Sequence, residues 1–138
     1  MTFIAAMLLS GVLTALALTH FFWAIGGGGF GGAVPEEHGK PVFTPTPLLT
    51  ALVGALLLMA AAIVAGRVGL WGGLGRPWIY RVGTLGLAAA FLLRGIGDFR
   101  YAGLFRRIRA TRFAHWDAWL FTPLCLVLGL VLVFIAQS

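Results

Sequence analysis

In this 138-residue chain the positions able to do chemistry are a few polar side chains standing among apolar ones. His20 lies near the end of a stretch, residues 2–25, that has no Asp, Glu, Lys or Arg, with Thr19 beside it and Trp23 one turn later. A neutral imidazole there can donate and accept hydrogen bonds, carry a proton or ligate a metal, whereas a bond to a backbone carbonyl is the plainly structural alternative. Arg94 and Asp98 are four residues apart, a spacing that puts them on one face of a helix and allows a charge-assisted pair, with Tyr101 continuing that face. A charge held below the head groups is costly and usually faces a bundle interior or a water-filled cavity. The pair therefore reads either as a structural ion pair or as part of a site for a negatively charged ligand, with Arg100 and Asp117 close by in sequence.

Other constellations carry less. His20 and His115, with His38, Glu36 and Glu37, have none of the spacings that mark a metal or haem site, so no metal and no cofactor is expected. The run GGGGFGG at 26–32 lacks the Lys-Ser/Thr of a phosphate-binding loop and reads as a flexible exit from the first apolar stretch. Cys125 is the single cysteine, which excludes an intrachain disulfide and every paired-cysteine motif. It sits among leucines and valines, where a thiol behaves as a small apolar group.

The elements that must position these residues are set by composition. Sixty per cent of the chain is hydrophobic and only 10% charged, far below the roughly 25% of a soluble domain. The expected fold class is all-α, an integral membrane four-helix bundle forming one domain over residues 1–138. Spans are expected at about 2–25, 47–66, 78–97 and 118–136, each near the roughly 20 residues that cross a hydrocarbon core. A signal peptide is the competing reading of the first, but no Lys or Arg precedes it and it is long for such a segment. Thr46 and Pro47 suit the N-cap and first position of the second helix. Its small residues Ala51, Ala55, Ala62 and Gly66 would let a neighbour approach closely. Pro77, Trp78, Tyr80 and Arg81 open the third span at the interface. Pro123 either kinks the fourth or marks its true start. Residues 26–45 read as an irregular loop, and residues 98–117 as an Arg-rich interfacial segment which, if helical, shows Tyr101, Leu104, Phe105 and Ile108 on one side.

Four spans alternate in direction, so loops 26–46 and 98–117 fall on the same membrane side, together with His20, Trp23, Arg94, Asp98, His115 and Asp117. All four acids and seven of the ten basic residues lie there, and Arg67, Arg76 and Arg81 lie on the other side, which leaves a net +3 on each. The Lys and Arg count places the polar side in the cytoplasm, and the expected setting is a bacterial inner membrane. The overall +6 is expected to meet phospholipid head groups rather than nucleic acid. The arginines at 100, 106, 107, 109 and 112 are expected to bind the anionic leaflet.

Three stretches carry a resemblance: THFFWAIGG in the first span, GRPWIYRVGTLG opening the third, and RGIGDFRYAGLFRRIRATRFAHWDAWLFTPLCL. The chain resembles the DUF3995 family (a domain of unknown function) of small bacterial membrane proteins over nearly its whole length, with GDFRYAGLFRR the most specific part. The resemblance implies a four-helix membrane protein of about this size and brings no activity with it. It implies a polar signature at His20, Trp23, Arg94, Asp98, Arg100, Tyr101, Asp117 and Pro123, while His115 and the glycine run fall outside it.

Three functions are compatible with these residues. The leading expectation is a polar pocket at one membrane face for a lipid-like or anionic small molecule, with Arg94 and Arg100 meeting its charge, Asp98 positioning Arg94, and His20 with Trp23 as the inner wall. Tyr101 and Asp117 complete the candidate ligand-binding set. An enzyme using His20 or Asp98 for proton transfer on an apolar substrate is the second reading. A structural subunit, as a homo-oligomer or in a larger membrane complex, is the third. Convergence of His20 and Asp98 on an open pocket distinguishes the first two from the third.

Overall fold

The structure is a computed structural model that describes residues 1–28, 32–72 and 74–138; the middle of the glycine run, at 29–31, lies outside the described residues. Among the described residues four helices are long and apolar enough to cross a membrane: α1 (Thr2–Ala24), α2 (Pro47–Arg67), α3 (Pro77–Ile96) and α4 (Arg112–Gln137). Thr46 caps α2, accepting a hydrogen bond from the Leu49 N–H at 3.2 Å, and Pro47 and Pro77 occupy first helical positions where no amide donor is needed. α1 packs along α2 and α3 along α4, and the two pairs are joined mainly through α2 and α3. Ala6, Leu9 and Leu13 of α1 are buried, so this helix is part of the core.

Small residues set the packing, as expected where lipid removes the usual hydrophobic drive between helices. The row that does so matches the expected one only at Gly66, over which the Tyr80 ring of α3 lies. Ala55 and Ala62 face outward, and α2 instead buries Gly54, Ala61 and Ala65. The Phe21 ring lies over Gly54, and Ser10 Oγ of α1 donates to the Ala61 carbonyl at 3.2 Å. Between α3 and α4 a Cβ on Gly129 would come within 2.6 Å of Leu92, so the missing side chain sets that approach.

The buried core lies in the half of the bundle nearest the chain termini, where Ala6, Leu9 and Leu13 meet Ala60, Ala61, Val64, Ala88, Leu128, Leu132 and Ile135. The other half carries the polar residues and ends in loops 25–46 and 97–111. Composition predicts an irregular loop over residues 26–45, but Glu36–Glu37 pairs antiparallel with Lys40–Pro41. His38 and Gly39 link these strands with φ of 53° and 75°, the left-handed conformations of a tight two-residue hairpin turn.

α4 begins six residues before the expected start because Thr111 caps it, its Oγ1 accepting from Ala114 N–H at 3.1 Å. Pro123 does not break the helix and stands in the first turn of its regular α-helical part, Thr122–Gln137. It follows a π-helical turn, Asp117–Phe121, closed by the Thr122 N–H on the Asp117 carbonyl. The wider turn accommodates an imide that supplies no donor.

Candidate functional site

The polar end is organised around Asp117, whose side chain is fully buried. Its Oδ1 accepts from Arg94 Nη2 at 2.7 Å, and its Oδ2 accepts from Gly103 N–H at 2.8 Å, Thr122 Oγ1 at 2.9 Å and Arg106 Nη1 at 3.1 Å. Residues five apart are not neighbours on an α-helix of 3.6 residues per turn, and the π-turn is what brings Thr122 to Asp117. A carboxylate stripped of water needs such donors. Three elements, α3, α4 and the 97–111 segment, are thereby fastened at one point.

This replaces the expected Arg94–Asp98 pair. Arg94 turns to Asp117, while Asp98 Oδ1 accepts from the backbone N–H groups of Arg100, Tyr101 and Ala102 at 3.0, 2.7 and 3.0 Å. Asp98 therefore builds a turn, as a short carboxylate does when it competes with helix for local amides. Partial burial raises its pKa, but the amide bonds from Ala102, Arg100 and Tyr101 outweigh this and hold it below the ordinary aspartate value. All three bonds fall on Oδ1, and the residue is exposed at the surface of the polar end.

Segment 97–111 is irregular, not an amphipathic helix. Gly97 and Gly103 cross so closely that a Cβ on Gly97 would lie 1.8 Å from the Ala102 carbonyl oxygen, and both have φ near +90°. Beyond the crossing, the Arg100 carbonyl accepts from Arg107 and Ile108 N–H groups, and the exposed rings of Phe99 and Phe105 stack with centroids 6.0 Å apart. Arg106, expected among the leaflet-binding arginines, is instead drawn inward to Asp117 and to the Gly103 carbonyl at 2.7 Å.

At the surface, Glu37 of the hairpin accepts from Arg100 Nη2 at 2.9 and 3.2 Å and from the Tyr101 hydroxyl at 2.8 Å. The two loops thus lie at the same end of the bundle, as alternation requires. The Tyr101 hydrogen bond first, and Arg100 second, hold the Glu37 carboxyl below the ordinary glutamate value. A depressed carboxyl pKa favours the folded contact above the unfolded value of about 4.3, and that contribution is lost as pH falls through the lower folded value. We therefore expect amide protection in 36–42, corrected for intrinsic exchange, to drop with acidification below pH about 4.3 and to be low throughout in Glu37→Gln. A flat acid profile in the wild type would contradict this docking.

His20, Trp23 and Arg94 line a recess of about 340 Å³ between the helices at the polar end, whereas Asp98 and Arg100 line a separate surface groove of about 440 Å³ with Glu37, so His20 and Asp98 do not converge on one pocket. All four helices line the recess: Leu16 and Thr19 with His20 and Trp23 from α1, Val53 and Leu57 from α2, Phe91 and Arg94 from α3, and Phe121, Leu124 and Cys125 from α4. His20 Nδ1 is 2.7 Å from the Leu16 carbonyl. In the neutral ring Nδ1 is therefore the protonated nitrogen and Nε2 the acceptor. The ring packs edge-on to Trp23 with centroids 5.4 Å apart. Arg94 keeps one buried donor, Nη1, without a hydrogen-bond partner among the described residues, and so does Arg106 at Nε. One carboxylate here serves two guanidiniums, which leaves the cluster with a net positive charge.

The seven sequence candidates thus separate. His20, Trp23 and Arg94 form the recess wall, Asp117 stands behind Arg94, Arg100 and Tyr101 hold the hairpin, and Asp98 shapes a turn. His115 is exposed and its ring packs on Trp116, so it does not face His20. Glu37, Arg106, Thr122 and Cys125 also belong to the polar end or the recess, and sequence reasoning does not single them out as ligand-binding residues.

The architecture defines a class, a multi-pass membrane bundle of four helices with a carboxylate-centred polar end. The model of the protein family of unknown function DUF3995 matches residues 13–132, and the chain belongs to that family. No curated protein and no solved structure matches it.

Proposed function

We propose that the recess binds an amphipathic molecule with an anionic head group. The observation that carries this reading is the buried, unpartnered Nη1 of Arg94 in a residue that lines an otherwise mostly apolar recess. A guanidinium only donates, so its complement is an acceptor, and the surplus positive charge beside Asp117 favours a negative one. The Leu16, Val53, Leu57, Phe91 and Leu124 walls suit a hydrocarbon tail, and His20 Nε2 can accept a proton or hydrogen bond from a head group that carries a hydroxyl.

Arg94→Gln tests this cleanly. Asp117 would keep Arg106, Gly103 N–H and Thr122, so the bundle retains its anchor while the recess loses its cation. Native mass spectrometry of gently purified protein should find a co-purifying amphiphile, with occupancy reduced about tenfold in Arg94→Gln, since a hydrogen bond to a charged group contributes about 1.5–3 kcal/mol. His20→Ala should reduce occupancy without unfolding the protein. Equal occupancy in wild type and both variants would reject the recess as the site.

A further inference from the structure

The opposite end of the bundle holds a second, smaller arrangement, independent of the recess. α2 ends there in Arg67 and α3 begins at Pro77. Every Asp and Glu of the chain lies at the polar end, and the ion pairs among the described residues leave out Arg67, Arg76 and Arg81. Arg67 differs from the other two in being half-buried, with its Nε enclosed and without a hydrogen-bond partner among the described residues. It lines a cavity of about 140 Å³ together with Gly66, Trp71, Leu74, Gly75 and Tyr80.

The other side-chain donors of this wall are already engaged. Trp71 Nε1 donates to the Ala62 carbonyl at 2.8 Å, and the Tyr80 hydroxyl donates to the Leu74 carbonyl. The Tyr80 ring lies across Gly66, where a Cβ would come within 2.3 Å of it, and so closes the floor. What is left is a compact space with a cation in its wall, less than half the volume of the recess at the polar end. It suits a small acceptor group and not a hydrocarbon chain.

An unpaired guanidinium at the edge of a membrane span is costly, and no carboxylate side chain of this protein is at hand. Trp71 and Trp78, both outward-facing, mark the depth as interfacial. Leu74, 70% exposed at the cavity rim, offers an apolar surface to whatever is attached to the bound group. We infer that Arg67 and this cavity hold the phosphodiester of a membrane phospholipid, with its acyl chains lying outside along the bundle. The apolar rim is what favours a lipid over a free phosphate ion.

The test is a titration of the detergent-solubilised full chain with dioleoylphosphatidylglycerol, with bound lipids counted by native mass spectrometry. Arg67→Gln should weaken one binding step about tenfold. Arg76→Gln, which removes the same charge from the same face, should bind like the wild type, and inorganic phosphate should not displace the lipid. Unchanged affinity in Arg67→Gln, or an equal loss in Arg76→Gln, would overturn the site. Displacement by inorganic phosphate would make it a free-anion site and overturn the lipid assignment. Should Arg67→Gln fail to fold, Arg67→Lys keeps the charge but loses the planar fork; it should bind several-fold more weakly, and wild-type affinity in that variant would equally reject the proposal.

Discussion

Replacing Asp117 with Ala should lower the stability of the bundle by about 3–5 kcal/mol, the cost of stranding buried partners of a removed charge. Two guanidiniums, the Gly103 amide and the Thr122 hydroxyl lose their common acceptor at once. Asp117→Asn should also be strongly destabilising, because donors approach both oxygens. If the amide oxygen faces Gly103 and Arg106, the amide NH₂ confronts Arg94, and the opposite flip sets it against Gly103 and Arg106. Nor should the apolar double replacement Arg94→Met with Asp117→Leu rescue stability, since Arg106, only 14% exposed, would remain unpaired. Thermal unfolding in detergent measures all three. A double mutant as stable as the wild type would show that Arg106 does not depend on Asp117.

Gly103→Ala should be comparably damaging, by about 3 kcal/mol or more from combined backbone strain and overpacking. Its Cβ would lie 2.3 Å from Gly97 Cα and 2.4 Å from the Ile96 carbonyl oxygen, both backbone atoms that no side-chain rotation can clear. Its φ of +88° adds the penalty of a left-handed conformation. Because the Gly103 amide also donates to Asp117, the substitution should loosen the same anchor from the loop side. Gly86→Ala is the matched control: nothing lies within 4 Å of its added Cβ, and a helix interior favours Ala by about 0.5–1 kcal/mol. Equal thermal stability of Gly103→Ala and the wild type would mean that the crossing is not rigid.

The four spans are legible in the sequence because long charge-free runs permit few structures besides a membrane helix, and their ends are readable at Thr46, Pro47 and Pro77. The partners of the charges are not. Arg94 and Asp98 have ideal helical spacing, yet α3 ends at Ile96, so the spacing rule stops applying two residues before Asp98. The reason lies in Gly97, Asp98 and Gly103, which together form a turn that draws the backbone away from a helix. Gly97 and Gly103 flank the family-like GDFRYAG stretch and are the available signal. Arg94 and Asp117, 23 residues apart, meet only through packing. The π-turn that places Thr122 beside Asp117 has one local cue, Pro123, and a proline there is equally compatible with a kink or with a helix start. The convergence of His20, Trp23 and Arg94 is legible from alternation of the spans, because each stands near a span end that reaches the same side. Cys125 reads as a plain core residue because its run is uniformly apolar, and only the packing turns it toward the recess.

Cys125 offers the most direct test of the recess as a binding site, being the sole thiol of the chain and part of the recess wall. The measurement is the rate of Cys125 alkylation by N-ethylmaleimide in delipidated protein, with and without oleate, a single-chain anionic amphiphile. Oleate should slow alkylation in the wild type, uncharged oleyl alcohol should protect much less, and Arg94→Gln should require about tenfold more oleate for the same protection. Alkylation at the same rate with and without oleate, or equal protection in the wild type and Arg94→Gln, would contradict an anionic amphiphile held by Arg94.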